Sequence, residues 1–405
     1  MNVIQINGGV CAPLGFKAAG IHCGIRKNKI KKDFALIVSD VNASAAGVFT
    51  QNLVKGAPVV LSKQHLASGY AQAIICNSGN ANTCNANGMQ IAEEMCKLVE
   101  RVSGIKSDDV LVASTGVIGQ TLDIAPMANS IDELYANLGD NSQDAAQAIM
   151  TTDTVEKSVA VQFNLGNKVC KIGAIAKGVG MVCPNMATNL IFITTDVAIT
   201  PTLLQKALSS DVKSSFNMVS VDGDQSTNDT CVILANGLAA NEIIDSENAH
   251  YKAFKKALNY CTVKLSKMIA RDGEGATKLI ECKVTGANSV KQARNVAKTV
   301  IKSSLFKAAM FGADANWGRV LCAIGYSGEN VDVTKIDVEF QSKSGNLPVC
   351  ENGFGIEFSE DKAKKVLSEE EVKVNINLKI GKSKASAWGC DLTYDYVKIN
   401  GDYRT

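Results

Sequence analysis

The sequence predicts an α+β protein in which helices cover layers of β-sheet. Residues 372–380 alternate apolar and polar side chains, which is the period of a half-buried strand. Residues 248–270 instead repeat apolar side chains at helical spacing and stop at Asp272-Gly273, a typical C-terminal signal. Other strand-like and helix-like runs follow one another without internal repeats or low-complexity tracts. This mixture favours sheets covered by helices.

The remaining elements follow from the same two periods and from their boundary residues. Short apolar runs between Gly and Asn turns predict strands, and apolar residues three or four apart predict helices. The predicted strands are 34–41, 57–62, 72–76, 110–113, 190–193, 230–235, 278–284 and 337–341, besides 372–380. The predicted helices are 89–102, 143–150, 201–216, 248–270, 290–306 and a short one from Ser359. Thr200 and Pro201 suit the N-cap and first turn of their helix, and the Asn-rich stretch 77–88 is expected to be a loop.

The stretch 177–196, KGVGMVCPNMATNLIFITTD, holds the clearest candidate for chemistry. Gly178 and Gly180 permit backbone conformations closed to other residues, and Pro184 stiffens the chain that follows. Thr188 then comes just before an apolar run that reads as a buried strand. A tight loop would therefore deliver one hydroxyl to the head of a core strand. The alternative is a Gly-rich turn before a core strand, without catalytic meaning.

Composition excludes several classes of function. Of 405 residues, 46% are hydrophobic and 20% charged, as in ordinary globular proteins. A formal net charge of +2 gives no basic surface for nucleic acid, and no run approaches the ~20 apolar residues of a membrane span. The first residues lack a secretory signal. We therefore expect a cytoplasmic protein that binds neither nucleic acid nor membrane.

The reactive side chains argue against disulfide, zinc and imidazole chemistry. Thirteen cysteines are scattered without a C-x-x-C pair, so they predict neither a disulfide scaffold nor a zinc site, and most, Cys183 included, are expected to pack in the core. His22, His65 and His250 lie in no hydrolase motif. We expect no metal and no cofactor, and a catalytic base other than histidine.

The segment KGVGMVCPNMAT resembles the self-cleavage segment of the ornithine acetyltransferase family, the glutamate N-acetyltransferases of arginine biosynthesis. Further blocks match in the same order: NSGNANTC, STGVIG, TTDT, VDGDQSTNDT, RDGEGATK, MFGADANWGR and the terminal NGDYRT. The resemblance implies cleavage between Ala187 and Thr188, giving fragments 1–187 and 188–405. Asn189 stands where the family often has Met, which leaves the chemistry untouched.

The resemblance also implies a fold and a reaction. The fold would be an α/β/β/α-type sandwich of the N-terminal-nucleophile kind. The enzyme would move acetyl from N-acetylornithine to glutamate by ping-pong through an acetyl-Thr188 intermediate. Thr115 and Gly116 would form the oxyanion hole within fragment 1–187. Fragment 188–405 would supply the nucleophile and a C-terminal tail that closes the site.

Residues implied to bind substrate are Thr152, Lys177, Thr188, Glu274, Asn400 and Thr405. Thr151 is a neighbouring candidate that sequence cannot separate from Thr152. The expected assembly is a heterotetramer of two copies of each fragment. The resemblance leaves open whether acetyl-CoA is also a donor. The alternatives are a related self-processing aminopeptidase or amide hydrolase, and a non-catalytic chain that keeps the fold.

Overall fold

The computed structural model describes residues 2–26, 30–183 and 189–402, and both strands and helices occur throughout these ranges. The strands are β1 (Ile4–Ile6), β2 (Phe16–Ile21), β3 (Phe34–Phe49), β4 (Tyr70–Asn77), β5 (Val110–Ser114), β6 (Lys157–Leu165), β7 (Lys168–Lys177), β8 (Leu190–Thr195), β9 (Val219–Ser220), β10 (Thr230–Ala235), β11 (Leu279–Ala287), β12 (Asp337–Ser342), β13 (Gly345–Glu351), β14 (Phe354–Gly355), β15 (Glu371–Asn377) and β16 (Ser383–Cys390). The helices are α1 (Ala57–His65), α2 (Gly88–Ser103), α3 (Ala125–Ala136), α4 (Ser142–Ala148), α5 (Pro201–Asp211), α6 (Ala249–Arg271), α7 (Val290–Lys302), α8 (Ser304–Phe311), α9 (Trp317–Gly325), α10 (Glu360–Leu367) and α11 (Tyr394–Asp402).

The larger sheet runs β1-β6-β7-β8-β10-β3-β4-β5, and β2 pairs with the long strand β3. Strand β8 lies in its middle, antiparallel to β7 and parallel to β10. This pairing sets Leu190 opposite Lys177 on one side and opposite Thr230 on the other. The C-terminal end of β7 and the N-terminal ends of β8 and β10 therefore lie side by side, at one end of the central strands.

Both faces of β8 are buried, which explains its continuous apolar run. Ile191 and Ile193 belong to the large core that includes α5 and α6. Leu190 and Phe192 point to the opposite face, where they share a core with residues of α4. The central strand, including its first residue Leu190, is thus fixed from both sides.

The second sheet runs β14-β13-β12-β15-β11-β16-β9 and comes entirely from residues after 218. Helix α7 packs on β11 and β16, and α6 contacts β6 and β7 of the first sheet as well as β16 of the second. One continuous apolar core joins these elements. A third core lies under α1, α2 and α3 at the β4–β5 end of the first sheet.

The predicted mixture of helices and sheets is confirmed, although the strand predicted at 34–41 continues to Phe49 and several strands, β6 and β7 among them, were not predicted. The strand predicted at 57–62 is wrong, because these residues form helix α1. Valines favour strands, but Gly56 stands at the N-cap and Pro58 in the first turn, where proline is preorganised for a helix. The Ser62 hydroxyl also bonds both backbone groups of Val112 on the edge strand β5, at 2.6 and 2.8 Å. A helix therefore covers this edge.

Two predicted helices are shorter than expected. The run predicted at 290–306 is interrupted at Ser303, whose side chain accepts the backbone N–H of Phe306 at 3.3 Å and begins α8. The helix predicted at 201–216 ends at Asp211. Thr200 and Pro201 do occupy the N-cap and first turn of α5, as predicted.

The described residues contain no helix with the length and hydropathy of a membrane span. All thirteen cysteines lie in the described ranges and are unpaired thiols. Most of them are buried, Cys183 among them, as expected of small core residues.

Candidate active site

A pocket of about 350 Å³ opens at the end of the central strands where the end of β7 lies beside the beginnings of β8 and β10. Loops from both sequence halves and helix α11 form its wall. The described lining residues are Ala81, Thr115, Gly116, Ile118, Thr151, Thr152, Lys177, Gly180, Met181, Asp222, Asp224, Ser226, Thr227, Asn228, Glu274, Tyr396 and Asn400. The chain on both sides of segment 184–188 contributes to this region.

Most of the predicted site residues meet in this pocket although they lie far apart in sequence. The residues brought together are Thr115, Gly116, Thr152, Lys177, Glu274 and Asn400, and Thr151 lies beside them. Three predicted residues, Ala187, Thr188 and Thr405, lie outside the described residues. The described neighbours of the first two are Cys183 and Asn189.

Gly116 is at a position that only glycine fits. Its φ is +126°, and a Cβ there would lie 2.7 Å from the carbonyl carbon of Gly79. Such close approach and positive φ explain the glycine. The neighbouring Thr115 N–H donates to the carbonyl oxygen of Asn77 at 3.0 Å, which holds the turn after β5. The pair predicted to stabilise an oxyanion is therefore built on a fixed turn.

Lys177 ends β7 and is a buried cation, with its side chain against Thr115. Its Nζ donates to the Thr115 Oγ at 3.3 Å. Burial lowers the pKa of Lys177, and the charge of Asp153 partly opposes this effect. Because Lys177 occupies the hydroxyl oxygen as donor, the Thr115 O–H hydrogen can point elsewhere, toward a reacting group.

Glu274 ties three parts of the pocket together. Its two carboxylate oxygens accept from the Thr152 hydroxyl and from the Asn400 amide, each at 2.8 Å. Its backbone N–H donates to the carbonyl oxygen of Val179 at 2.9 Å. A Cβ at Gly180 would lie only 2.5 Å from the carboxylate. Helix α11 therefore reaches the pocket through Asn400. Only the family resemblance predicted that this C-terminal segment lies at the site.

The charges in the pocket suit a zwitterion. Among the described lining residues Lys177 is the one basic side chain, whereas Asp222, Asp224 and Glu274 are acidic. A lysine ammonium can bind a carboxylate, and carboxylates can bind an ammonium group. The pocket is thus complementary to a small ligand that carries both, such as an amino acid.

We expect Glu274→Gln to raise KM for an ammonium-bearing substrate by about tenfold or more, because a hydrogen bond to a charged group is worth about 1.5–3 kcal/mol. The glutamine amide also places an NH₂ group opposite the donor of either Thr152 or Asn400, so that one of these two hydrogen bonds is lost. Steady-state kinetics would measure the change. Glu247→Gln, which removes an exposed partner of Lys206, is the matched control and should leave KM unchanged. An unaltered KM in Glu274→Gln contradicts the assignment.

Asp222 fixes the chain just before segment 184–188. Its carboxylate accepts the backbone N–H groups of Met181 at 2.6 Å and Val182 at 2.9 Å. Val221 N–H in turn donates to the carbonyl oxygen of Val182 at 2.7 Å. Met181 adopts a left-handed φ of +55°, which is uncommon outside glycine. The loop that carries Asp222 therefore holds a strained backbone in place.

Asp229 lies beside Asn189, which is the first described residue after segment 184–188. Both line a narrow cleft with Lys177 and Thr115, and Thr230 N–H donates to the carbonyl oxygen of Asn189 at 2.9 Å. The Asp229 carboxyl is 1% exposed, and neither oxygen has a hydrogen-bond partner of normal geometry among the described residues. Burial raises the pKa of Asp229 well above its ordinary value, although nearby polar groups oppose the effect.

Asp229→Asn is expected to stabilise the fold at alkaline pH. A carboxyl with a raised pKa in the folded state binds its proton more tightly there, so the free energy of unfolding falls as pH rises above the unfolded pKa of about 4 toward the folded value. The amide has no such titration. Thermal unfolding midpoints, measured in a Thr188→Ala background so that both proteins are single chains, should favour the variant at pH 8 and converge toward pH 4. A difference between the two unfolding midpoints that does not change with pH contradicts the raised pKa of Asp229.

Sequence reasoning missed several charged residues around the site. Asp222 stands within the matching block VDGDQSTNDT without a predicted role of its own, Asp272 is predicted only to end a helix, and Asp153 and Lys157 carry no prediction. Asp153 lies directly after Thr152 in the matching block TTDT, and Asp272 lies in RDGEG. The matching blocks therefore include all of these residues except Lys157. No sequence signal, however, indicates that Asp272 contacts residues more than a hundred positions earlier in the chain.

Comparison with known proteins shows the family to which this chain belongs. The ArgJ family model matches residues 17–405. The arginine biosynthesis bifunctional protein ArgJ 1 of Clostridium acetobutylicum is 51% identical over 392 residues, which is 96% of each chain. The ArgJ of Caldanaerobacter subterraneus subsp. tengcongensis is 47% identical over 402 residues, 99% of each chain. A crystallised ArgJ chain from Bacillus halodurans is 48% identical, with a TM-score of 0.50, and covers 52% of this chain and 98% of its own. This chain belongs to the ArgJ family.

Proposed function

We propose that this enzyme transfers acetyl from N-acetylornithine to glutamate through an acetyl-Thr188 intermediate, after cleaving itself between Ala187 and Thr188. One observation carries the proposal: Thr115, Gly116 and Lys177 surround the pocket beside the two ends of segment 184–188. The names of the full-length relatives, which place them in arginine biosynthesis, support it.

In the cleavage step, the Thr188 hydroxyl oxygen attacks the carbonyl carbon of Ala187 and displaces the Thr188 nitrogen, leaving an ester. Water then hydrolyses this ester to the Ala187 carboxylate and restores the hydroxyl. The freed α-amine of Thr188 has an ordinary pKa of about 7.7–8.0, so it is partly neutral near pH 7 and can serve as base. A base on the nucleophile's own residue fits a site without a histidine among its described lining residues.

In the transfer step, the hydroxyl attacks the acetyl carbonyl of N-acetylornithine, and the amine of ornithine leaves with the proton that the base took up. The neutral amine of glutamate then attacks the acetyl ester and displaces the Thr188 oxygen, which regains its proton as N-acetylglutamate forms. Each tetrahedral intermediate carries an oxyanion, which Thr115 and Gly116 would stabilise. Lys177 would bind the substrate carboxylate, and Glu274 with Thr152 and Asn400 would hold its ammonium end.

The proposal includes two fragments, 1–187 and 188–405, that stay together without a covalent link. The described part of fragment 1–187 supplies Thr115, Gly116, Thr152 and Lys177, and fragment 188–405 supplies Glu274 and Asn400. The crystallised relative supports cleavage, since 98% of that chain matches only 52% of this one. We further propose the α/β/β/α-type sandwich, a cytoplasmic location and a heterotetramer of two copies of each fragment.

A second activity, acetyl transfer from acetyl-CoA to glutamate, is favoured by the word "bifunctional" in the relatives' names. The same acetyl-Thr188 would form from the thioester. Continued release of free CoA beyond one equivalent per active site, which requires glutamate and is measured without N-acetylornithine, would establish it.

Incubation with N-acetylornithine and glutamate tests the main proposal. We expect ornithine and N-acetylglutamate in equal amounts, with parallel lines in double-reciprocal plots, because one nucleophile carries the acetyl group between two substrates. Release of acetate in place of N-acetylglutamate would instead identify an amide hydrolase or aminopeptidase. Intersecting lines would contradict the covalent intermediate, and no turnover would indicate a non-catalytic chain.

A further inference from the structure

A buried ion cluster, formed by Asp153, Lys157 and Asp272, lies behind the pocket wall. The Lys157 Nζ lies 2.7 Å from an Asp153 oxygen and 2.6 Å from an Asp272 oxygen. The side chains of Asp153 and Lys157 are 0% exposed and that of Asp272 is 6% exposed. Burying three charges is costly unless each is paired and hydrogen-bonded. None of the three lines the pocket itself.

Asp153 makes contacts that lead directly to the pocket. One of its oxygens accepts the backbone N–H of Gly178 at 2.9 Å, next to Lys177, and the other accepts that of Thr151 at 3.0 Å. It thus holds two separate segments of the pocket wall. Asp272 holds the chain nearby, because it accepts both the N–H and the hydroxyl of Thr154.

The same carboxylate acts on Lys177 through its charge. Burial by itself would raise the pKa of Asp153, but the charges of Lys157 and Lys177 outweigh it and lower that pKa to about 2. The titratable or charged groups that act on Lys177 are Asp153, Lys157, Arg26, Cys76 and Asp229. Asp153 is the carboxylate that offsets burial and the two neighbouring cations at Lys177.

We propose that Asp153 is a positioning residue for the transfer reaction: its carboxylate holds the backbone at Gly178 and Thr151 and supplies the opposite charge beside Lys177 at the pocket. Lys157 and Asp272 anchor that carboxylate to the part of the chain after residue 188. The inference rests on the proposed function of Lys177 as the group that binds the substrate carboxylate. Under it, the chain before residue 184 and the chain after residue 188 share one buried charge network that reaches the binding site.

Asp153→Asn tests this role through the pH dependence of kcat/KM. In the wild type, deprotonation of Lys177 gives an alkaline limb, which Lys177→Met should remove. Loss of a nearby opposite charge lowers a lysine pKa by about one unit or more, so we expect the limb to move to lower pH by that amount. KM should rise about tenfold or more at pH 8, with a smaller change in kcat. Asp40→Asn, which breaks an exposed pair with Lys17 at 2.8 Å, is the control.

A second variant covers the case in which Asp153→Asn does not fold. Asp153→Asn/Lys157→Met/Asp272→Asn removes all three charges of the buried cluster, and replacement of a whole buried ion cluster is often tolerated. Its readout is KM, because loss of Lys157 opposes the effect that loss of Asp153 has on the pKa of Lys177. A limb at the wild-type pH in folded Asp153→Asn, or a wild-type KM in either folded variant, overturns the inference, and so does loss of the fold in both, since the carboxylate would then serve the fold alone. Absence of transfer in the wild type would instead overturn the proposed function.

Discussion

Thr188→Ala is expected to yield one uncut chain of 42.8 kDa without acetyl transfer. The variant lacks the hydroxyl that would attack the Ala187 carbonyl, so no ester forms and no α-amine is freed. Loss of a nucleophile that acts as a unit with its base costs on the order of 10⁴-fold or more in kcat. A denaturing gel and an assay of ornithine release measure the two effects.

Thr188→Ser is the matched control, because it keeps both a hydroxyl and, once cut, an α-amine. We expect it to cleave, although more slowly, and to retain part of the transfer activity. Single replacement of His22, His65 or His250 by Ala should leave acetylation of Thr188 intact. Full cleavage in Thr188→Ala would contradict the mechanism, as would loss of acetylation in a folded and cleaved histidine variant.

Thr115→Val should lower kcat by about 10²–10³-fold, the effect of removing one oxyanion-hole donor. Valine keeps the shape of threonine but cannot donate, and it also leaves Lys177 without the oxygen it contacts at 3.3 Å. The turn itself should survive, because its hydrogen bond comes from the Thr115 backbone N–H. Single-turnover measurement of ornithine release separates this effect from a change in substrate binding.

Thr285→Val is the control for Thr115→Val. Thr285 lies on β11 of the second sheet, away from the pocket, and its hydroxyl donates to the carbonyl oxygen of Ile376 at 3.2 Å. This variant should retain the wild-type kcat. A kcat within threefold of wild type in Thr115→Val would show that the Thr115 hydroxyl is not part of the oxyanion hole.

Local periodicity predicted eight of the sixteen strands and six of the eleven helices in the described residues, and its failures have physical causes. The helix α6 and the alternating strand β15 were found because packing agrees with their local pattern. The run at 57–62 failed because its valines resemble a strand, whereas Pro58 and the contacts of Ser62 with β5 select a helix. Tertiary contacts decided where local preference was ambiguous.

The site was predictable only through resemblance. Composition and spacing indicated a tight loop before a core strand, but nothing in them joins Thr152 to Glu274 or Glu274 to Asn400. These contacts arise when sheet order brings distant loops to one edge. The cluster of Asp153, Lys157 and Asp272 shows the same limit, since its members look like ordinary surface charges until the fold buries them.

Intact-mass spectrometry of the protein before and after incubation with N-acetylornithine alone tests the central claim most directly. Before incubation, two fragments with the masses of 1–187 and 188–405 are expected. Afterwards, fragment 188–405 should gain one acetyl group, which added glutamate removes. An active protein that runs as one full-length chain, or an acetyl group that appears on fragment 1–187, would contradict Thr188 as the nucleophile.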